Sequence, residues 1–470
     1  MDDRFDMVVI GAGPAGEKAA AQAAYFGKRV AIVERQRRLG GAAAQNGGIP
    51  TKTLREAALY VTGFRRRDIY GVGIDLPAHA AVEHLWNRVD EIIGTVTSSV
   101  SENIERHKIA LVRGTASLAP DCSVLVESAD GTRRLLEAEA ILIATGSRPF
   151  HPPGVDFDDP DVLDSESVIG LDTPVSNVVV IGGGAVGCEY ASIFAALGVD
   201  VTLVDSGARL IPFMDAEISK ILKDSLRDFG VRVLLDAGRA AVDRDEQGLK
   251  VTLASGEVLR PDKVLFAAGR AGNTEALGLD VAGVKTDERG RILVDHRFQT
   301  SSPGIYAAGD VIGPPALASV SMEQGRVAAC HAFGIPFKQT VDSQAPFGIY
   351  SIPEVAMVGL SEEAAAGQGL DYEVGRGWFA RNTRAHIIGA TEGLVKLVFQ
   401  RNDRRLLGVH IIGGGAAELI HQGQAVLRFG GDIEYFIQTT FNVPTESEAY
   451  KYAAYDGLQR LARIEAFEET

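Results

Sequence analysis

The feature that most constrains the fold of this chain is a glycine-rich strand–turn–helix pattern that occurs twice. In the first copy the apolar strand Met7–Ile10 runs into Gly11-Ala12-Gly13-Pro14-Ala15-Gly16, and an alanine-rich helix follows to Tyr25. A second strand, Val30–Val33, then ends on Glu34. Glycines at these places permit a tight turn and let a pyrophosphate approach the helix N-terminus, while the terminal acid can bind ribose hydroxyls. The segment therefore predicts a dinucleotide-binding βαβ unit.

The second copy follows the strand Val178–Ile181. Its turn is Gly182-Gly183-Gly184-Ala185-Val186-Gly187, and its closing strand, Val199–Val204, ends on Asp205. The first glycine precedes the acid by the same interval in both copies, from 11 to 34 and from 182 to 205. Two such units imply two dinucleotides. We interpret them as flavin adenine dinucleotide (FAD) in the first and a nicotinamide cofactor in the second.

Three further segments end apolar strands in small residues. Ile141–Gly146 and Val264–Gly269 each follow one of the two glycine motifs, and Gly304–Asp310 ends in an acid. Such turns let a backbone approach a cofactor, although a tight structural turn remains the alternative for each segment alone. The third segment resembles the one whose Asp binds the ribityl chain in flavoproteins with two dinucleotides. Its place after the second motif implies that the nicotinamide domain is inserted in the FAD domain.

The last part of the chain has a different pattern. Glu354–Val358, Leu394–Gln400 and Leu406–Ile412 are typical of strands in an antiparallel sheet, and Ala416–Phe429 and Glu446–Leu461 are typical of helices. No glycine–serine linker or run of charge separates these elements from the rest. We therefore expect the domains to pack against one another.

Length, charge and cysteine content exclude several classes of protein. A chain of 470 residues is expected to form two to four domains, and its net charge of −15 argues against nucleic acid or an anionic membrane as a partner. No segment approaches the ~20 apolar residues of a membrane span, and Met1-Asp2-Asp3-Arg4 leads directly into a strand. Cys122, Cys188 and Cys330 are far apart, which excludes a disulfide framework, a CxxC pair and a cysteine zinc site. We expect a cytoplasmic protein without a metal site.

The stretch Gly40–Lys52 reads GGAAAQNGGIPTK. Its frame resembles the pattern GG-x-C-x-x-x-x-C-I-P-[ST]-K of the pyridine nucleotide–disulfide oxidoreductases, in which two cysteines form a redox-active disulfide beside the flavin. Ala43 and Gly48 occupy the two cysteine positions here. The resemblance extends over nearly the whole chain.

Four more stretches make the chain most similar, within that family, to the soluble pyridine nucleotide transhydrogenases. They are Ile49–Ala57, Gly187–Phe194, Pro212–Ile218 and Phe441–Thr445, the last followed by Glu448-Ala449-Tyr450. The usual transhydrogenase pattern keeps the first cysteine, so Ala43 departs from it as well.

The resemblance implies the fold class and the domain limits. It implies an α/β chain with two Rossmann-like domains, the nicotinamide domain inserted in the FAD domain, and a C-terminal α+β dimerisation domain. We predict the limits 1–150 and 273–345 for the FAD domain, 151–272 for the NAD(P) domain and 346–470 for the dimerisation domain. The resemblance also implies a homodimer.

The same resemblance assigns site residues. Lys52 matches the family lysine beside flavin N5, and Glu189 matches its ion-pair partner near the nicotinamide. A cation there stabilises negative charge on the flavin, and the carboxylate keeps the lysine charged and in place. Besides these two catalytic residues, the predicted cofactor-binding residues are Gly11, Gly13, Gly16, Glu34, Gly41, Thr145, Gly146, Gly309, Asp310, Leu317 and Ala318 for FAD, and Gly182, Gly184, Gly187, Asp205 and Gly269 for the nicotinamide cofactor.

A second departure from the family lies near the C-terminus. Disulfide-reducing members carry H-P-T-x-x-E, in which the His moves protons for the thiols. Here the run begins with Val443, which cannot carry a proton, and Glu448 keeps the place of the acid that orients the His. The cysteines and the histidine are therefore missing together, as expected if thiol chemistry is not used.

These observations predict an FAD-dependent NAD(P)H oxidoreductase without a redox disulfide. We expect hydride transfer between pyridine nucleotides through the flavin, with Asp205 favouring NAD because its charge repels a 2′-phosphate; Arg209 is the weak argument for NADP. The alternative is an NAD(P)H dehydrogenase or diaphorase whose small-molecule or protein acceptor is a quinone, a metal ion, oxygen or an electron-transfer protein. That version predicts a cavity lined by Ala43 and Val443. A flavin-bearing redox sensor is a third possibility, and a disulfide reductase is rejected.

Overall fold

The computed structural model describes residues 3–63, 78–171, 173 and 175–468, and the side chains at 61–63, 78–84 and 464–468 lie outside that description. The predicted start at Met1 and Asp2 also lies outside it. Two mainly parallel sheets and one antiparallel sheet carry most of the core. The α/β fold class predicted from the sequence is confirmed.

The first part of the chain forms a mostly parallel sheet. Its elements are β1 (Arg4–Ile10), α1 (Pro14–Tyr25), β2 (Val30–Glu34), α2 (Gly41–Gln45), α3 (Gly48–Gly63), α4 (Ala78–Arg106), β3 (Ala110–Arg113), β4 (Thr115–Ala119), β5 (Ser123–Glu127) and β6 (Arg133–Ile143). The order is β3-β2-β1-β6, and β5 and β4 extend antiparallel from the first half of β6. β2 is buried throughout its length, as expected for a parallel strand with both faces covered.

The second part repeats the design. Its elements are β7 (Ser147–Pro149), β8 (Val162–Asp164), β9 (Asn177–Ile181), α5 (Ala185–Ala196), β10 (Asp200–Val204), α6 (Ala216–Asp228), β11 (Arg232–Leu234), β12 (Ala241–Asp245), β13 (Gly248–Thr252), β14 (Val258–Leu259), β15 (Lys263–Phe266) and β16 (Arg270–Gly272). The parallel order is β11-β10-β9-β15-β8, and β12, β13 and β14 form a small antiparallel sheet. β7 and β16 pair where the chain enters and leaves this unit.

The chain then returns to the first sheet. β17 (Ile305–Ala307) pairs in parallel with β6, and α7 (Ala318–Ala332) packs on α1. The two helices approach so closely that a Cβ atom at Gly325 would lie 2.2 Å from the carbonyl oxygen of Ala15. The return of β17 confirms that the second dinucleotide fold is inserted in the first, whereas the four domain limits given above stay a prediction.

The last part forms the antiparallel sheet. Its elements are β18 (Phe347–Ile349), β19 (Val355–Gly359), α8 (Glu362–Gly367), β20 (Tyr372–Trp378), α9 (Thr383–Ile388), β21 (Leu394–Gln400), β22 (Leu406–Ile412), α10 (Ala416–Arg428), α11 (Glu434–Gln438) and α12 (Glu448–Glu468). The order is β18-β19-β22-β21-β20, with α12 packed on β20 and α10 on β22. The strands predicted at 394–400 and 406–412 have those limits in the structure.

One hydrophobic cluster joins the three units. Leu54 of α3, Leu203 of β10 and Leu394 of β21 belong to it, together with Ile349 and Ile412. The units therefore share buried apolar surface, as the absence of a linker predicts. Among the helices of the described residues, none is long and apolar enough to span a membrane.

Candidate active site

A large cavity lies where the three units meet. Its volume is ≈ 1370 Å³, above the ~300–1,000 Å³ typical of a pocket for one small molecule. Twelve of the predicted site residues line it: Gly11, Gly13, Glu34, Gly41, Lys52, Thr145, Gly146, Glu189, Gly309, Asp310, Leu317 and Ala318. Residues of both glycine-rich units line the cavity, because Ala185 and Val186 of α5 belong to the second unit.

The first glycine turn opens directly on this cavity. Gly11 has φ +106°, and a Cβ atom there would lie 2.4 Å from the carbonyl oxygen of Ala144. Gly16 does not line the cavity; a Cβ atom at that position would lie 2.0 Å from the carbonyl oxygen of Gly11. Gly13 and Pro14 at the start of α1 do line it. The free N–H groups of the helix start therefore face the cavity, which suits a phosphate.

Glu34 and Asp310, the two acids predicted to bind FAD, line the same cavity and accept short hydrogen bonds. Glu34 accepts hydrogen bonds of 2.8 Å from the backbone N–H groups of Ala12 and Gln36, one to each carboxylate oxygen. Asp310 accepts a 2.7 Å hydrogen bond from the hydroxyl of Ser147. Each carboxylate oxygen retains a lone pair, so both acids can still accept hydrogen bonds from ligand hydroxyls.

Arg270 was not predicted from the sequence, although it holds Ser147, the residue whose hydroxyl donates to Asp310. Its guanidinium donates 2.7 Å hydrogen bonds to the hydroxyl and to the carbonyl oxygen of Ser147, and it lies 3.2 Å from Glu166.

Asn46 was not predicted from the sequence either. Its buried Oδ1 atom has no hydrogen-bond partner among the described residues, and the residue lines the cavity. A polar acceptor without a partner in a cavity of this size indicates a place for a ligand donor.

These residues fit FAD. The helix start suits its pyrophosphate, Glu34 and Asp310 can accept from its hydroxyls, and the close backbone approach at Gly11 leaves the turn free of side chains. Glu34, Gly11 and Gly13 would hold the adenosine and pyrophosphate part, and Asp310 the ribityl chain.

Lys52 and Glu189 form an ion pair at the meeting point of the first two units. The Nζ atom of Lys52 on α3 lies 2.8 Å from both carboxylate oxygens of Glu189 on α5. The side chain of Glu189 is 8% exposed and that of Lys52 is 31% exposed. The pair therefore has one desolvated acid and one cation that reaches the cavity.

The C-terminal unit completes this arrangement through Tyr350, which was not predicted from the sequence. Its backbone N–H donates a 2.9 Å hydrogen bond to Glu189, and its ring lies 5.0 Å from the Nζ atom of Lys52. Burial raises the pKa of the Tyr350 hydroxyl, and the carboxylates of Glu354, Glu418 and Glu189 raise it further. Nothing in the local sequence around Tyr350 points to this position, since it depends on how the third sheet packs on α5.

A second buried ion pair ties α3 to the C-terminal unit. Arg55 is 4% exposed; it donates a 3.1 Å hydrogen bond to the carbonyl oxygen of Ser351 and lies 2.8 Å from Glu354. Because Lys52 is on the same helix one turn earlier, this contact fixes the helix that carries it.

The second glycine motif has the geometry of the first, but its glycines do not line the large cavity, which it reaches only through Ala185 and Val186. Gly182 has φ +117°, and a Cβ atom at Gly187 would lie 1.8 Å from the carbonyl oxygen of Gly182. Asp205 accepts hydrogen bonds from the N–H groups of Gly183 and Gly207. The predicted residues that do not line the cavity are Gly16, Gly182, Gly184, Gly187, Asp205 and Gly269.

The positions that distinguish this chain from disulfide reductases are divided between two places. Ala43 and Gly48 line the cavity, whereas Val443 does not and is 65% exposed in the single chain. This cavity is therefore not the one lined by both Ala43 and Val443 that the alternative function predicts.

The three cysteines are free and none of them lines the cavity. Cys188 is fully buried, its thiol lies 3.5 Å from the carbonyl oxygen of Gly183, and burial raises its pKa. It therefore acts as a small packing residue. Over the described ranges, no group of three His, Cys, Asp or Glu side chains is arranged to hold a metal ion.

Two family models match this chain. The first, described as pyridine nucleotide-disulphide oxidoreductase, matches residues 5–325, and the second, its dimerisation domain, matches residues 345–454. A soluble pyridine nucleotide transhydrogenase of Mycobacterium bovis is 44% identical over 98% of this chain and 99% of its own length. A soluble pyridine nucleotide transhydrogenase from Marinomonas sp. is 38% identical over 97% of this chain and 99% of its own length.

Solved structures show the same fold. LpdA from Mycobacterium tuberculosis has a TM-score of 0.88, with 27% identity over 96% of this chain and 99% of its own. The HOCl-induced flavoprotein disulfide reductase RclA from Escherichia coli has a TM-score of 0.86, with 27% identity over the same shares.

Proposed function

The chain belongs to the pyridine nucleotide-disulphide oxidoreductase family and is a flavin-dependent pyridine nucleotide oxidoreductase, and from this we propose that it transfers hydride from one pyridine nucleotide to another. The second nucleotide is then its small-molecule electron acceptor. Its cofactors are FAD and NAD(P)H. The relatives named as transhydrogenases, which match over nearly their full length, support this proposal.

One observation carries it. The Lys52–Glu189 ion pair and the positions of Ala43 and Gly48 line the same cavity. The site thus keeps the charged pair while the two positions that carry thiols in disulfide reductases carry a methyl group and a hydrogen atom. A dithiol relay has no side chains there to form it, so electrons have to leave the flavin directly, as transfer to a second nucleotide requires.

The chain's own residues bind, orient and stabilise charge. Lys52 presents a fixed cation to the cavity, and Glu189 holds it in place through two 2.8 Å contacts. Tyr350 fixes Glu189 in turn through its backbone N–H. A bound flavin supplies the capacity to accept hydride and to donate it. Preorganised charge of this kind is often the largest contribution to catalysis, because it requires no rearrangement when the charge develops.

The proposed nicotinamide site is the second glycine motif. Gly184 and Gly269 would let the pyrophosphate approach the backbone, and Gly182 and Gly187 would shape the turn through their close packing. Asp205 would accept from the adenosine ribose. The position of Asp205 supports NAD as the preferred nucleotide. Transhydrogenation also requires NADP at the same place, so a 2′-phosphate has to be tolerated beside that acid.

Initial-velocity measurements on the FAD-loaded enzyme test the proposal. With NADPH as donor and thionicotinamide adenine dinucleotide as acceptor, double-reciprocal plots are expected to give parallel lines, because the first product leaves before the second substrate binds. No turnover in either direction, together with rapid reduction of a quinone or oxygen, would instead identify a dehydrogenase. Nucleotide binding without turnover on any acceptor would identify a sensor.

We propose in addition that the enzyme is a homodimer joined through residues 346–470. The matched dimerisation domain supports this, and so do exposed aromatic side chains on α12, where Tyr452 and Tyr455 are 49% and 51% exposed. Val443, 65% exposed, would lie at that contact. Sedimentation of Tyr455→Glu is expected to shift the protein towards the monomer, whereas Tyr25→Glu, at an exposed position on α1, should leave the mass unchanged.

The domain limits given above and a cytoplasmic location belong to the same proposal. Free cysteines fit a reducing compartment.

A further inference from the structure

We propose that Glu363 sets the preference between NADH and NADPH by holding Arg209 in an ion pair that a 2′-phosphate has to break. The inference rests on the proposed function, since it concerns the nicotinamide site of the same reaction. It assigns a specificity role to a residue of the C-terminal unit, which contributes nothing to the glycine motif itself.

The loop after Asp205 lies against the glycine turn. Ile211 donates its N–H to the carbonyl oxygen of Gly183 at 2.8 Å, and a Cβ atom at Gly183 would lie 2.8 Å from the side chain of Leu210. Gly207 donates its N–H to Asp205. The loop residues therefore border the place where the adenosine ribose of a nicotinamide cofactor sits in such folds.

Arg209 is the one Lys or Arg between residues 205 and 215. In the structure its guanidinium donates to the carbonyl oxygen of Pro212 and lies 3.4 Å from the carboxylate of Glu363. The side chains are 37% and 44% exposed. The pair is therefore near solvent, and an ion pair of this kind is weak enough to exchange partners.

Glu363 is itself fixed. Its Oε1 atom accepts a 2.8 Å hydrogen bond from the backbone N–H of Ala216, at the start of α6. The same oxygen thus serves the helix start and Arg209. The acid belongs to α8 of the C-terminal unit, so it holds the arginine on a residue outside the nicotinamide unit.

The charges explain how the pair selects a nucleotide. The adenosine ribose of NADH carries a 2′-hydroxyl, which can donate a hydrogen bond to Asp205. Arg209 can then keep its ion pair with Glu363. With NADPH the 2′-phosphate brings negative charge beside Asp205, and a cation has to approach to offset the repulsion. Arg209 is the nearest in sequence, and it can move only by leaving Glu363. The cost of that exchange falls on NADPH alone.

Three variants of the FAD-loaded enzyme separate these contributions. Glu363→Gln keeps an oxygen for the Ala216 N–H and removes the charge that holds Arg209. Arg209→Met removes the cation and keeps a long side chain. Glu257→Gln is the matched control, because it removes one carboxylate from an exposed ion pair, with Arg232 at 2.7 Å, in the unit that carries Arg209.

The probes are adenosine 2′,5′-bisphosphate and adenosine 5′-monophosphate, with dissociation constants measured by calorimetry at low salt. Glu363→Gln is expected to tighten the bisphosphate about two- to fivefold, the range for one exposed ion pair. Arg209→Met is expected to weaken it about five- to tenfold. The dissociation constant of the monophosphate should stay the same in both variants, and Glu257→Gln should alter the binding of neither probe. In the double variant Glu363→Gln/Arg209→Met, the bisphosphate should bind no more tightly than in Arg209→Met alone.

Equal changes for both probes in Glu363→Gln, or a tighter bisphosphate in the double variant, would overturn the inference. So would unaltered bisphosphate binding in Arg209→Met. These outcomes are independent of turnover: a protein that binds the probes as described but transfers no hydride would contradict the proposed function and leave the role of Glu363 intact.

Discussion

The Nζ atom of Lys52 lies 2.8 Å from both carboxylate oxygens of Glu189, although 137 residues separate the two in sequence. The lysine belongs to the first dinucleotide fold and the acid to the second. Since Tyr350 of the third unit donates its N–H to the same acid, one carboxylate joins all three units at the cavity. The charged pair at the site is therefore a product of the domain insertion rather than of any local motif.

Lys52→Met is expected to lower kcat for hydride transfer about 10²-fold, because the fixed cation at the cavity is lost. FAD content should be measured in the same samples, so that a loss of cofactor is separated from a loss of rate. Glu189→Gln should lower kcat in the same direction while keeping an acceptor for the Tyr350 N–H. Lys220→Met is the control: this exposed lysine pairs with Asp224 on α6, and its removal should leave kcat unchanged. Full activity in Lys52→Met would contradict the role assigned to the pair.

Arg55→Met is expected to lower the free energy of unfolding by about 3–5 kcal/mol, because it leaves Glu354, itself largely buried, without its cation. Chemical denaturation measures the loss. Arg88→Met removes an exposed pair with Glu91 on α4 and should cost at most about 0.5 kcal/mol. Equal losses in the two variants would show that burial of Arg55 contributes nothing.

Two glycines of the second motif should respond differently to alanine. At Gly187 a Cβ atom would lie 1.8 Å from a backbone oxygen, so Gly187→Ala should lower the melting temperature and abolish nicotinamide binding. At Gly184 nothing lies within 4 Å and φ is negative, so Gly184→Ala should keep the melting temperature and weaken binding only through contact with the nucleotide. A stable Gly187→Ala variant that binds NADH normally would contradict the close packing.

A fully buried histidine, His410, is expected to make stability fall in mild acid. Burial lowers its pKa below the usual value of 6.5, and the cation of Lys396 adds to this, while the carboxylates of Asp215 and Glu363 act in the opposite direction. The folded state therefore takes up the proton at lower pH than the unfolded state. Stability contributed by neutral His410 is present above pH 6.5 and is lost as pH falls towards its folded pKa, by at most about 1.4 kcal/mol per pH unit.

His410→Gln should flatten that slope, because a glutamine amide takes up no proton in this range. Its amide can still donate to the carbonyl oxygen of Leu360, as Nε2 does at 2.9 Å. Denaturation midpoints between pH 5 and 7 measure it. His296→Gln, at an exposed position, should keep the slope of the unaltered protein. An unchanged slope in His410→Gln would assign the acid sensitivity to other groups.

The sequence predicted those elements whose signals are local. Both glycine turns, the strands around them and the insertion of the second fold could be predicted because a positive φ, a strand and a terminal acid leave a fixed pattern. The limits of β21 and β22 also followed from their apolar runs. Gly11 and Glu34 were assigned to the cofactor site for the same reason, whereas Asp310 was assigned by the family resemblance; all three line the cavity.

The residues that the sequence could not supply act through packing between units. Tyr350 and Arg270 are defined by partners more than 100 residues away, so no spacing near them indicates a role. The cluster in which Lys396, 1% exposed, contacts Asp215, Glu217 and Glu362 has the same origin. Val443 was associated with the cavity by family pattern, but within a single chain it lies away from the cavity and exposed, because the pattern says nothing of which subunit it serves.

In the proposed reaction, hydride passes between pyridine nucleotides without thiols. The most direct measurement is the rate of transfer from NADPH to thionicotinamide adenine dinucleotide in the presence of arsenite, which binds paired thiols. Ala43→Cys/Gly48→Cys serves as the positive control, since a Cβ atom at Gly48 would meet its nearest neighbour at an ordinary 3.7 Å. The unaltered enzyme is expected to keep its full rate while the double variant becomes sensitive. Loss of the rate in the unaltered enzyme, or its steady reduction of lipoamide or glutathione disulfide, would contradict the account.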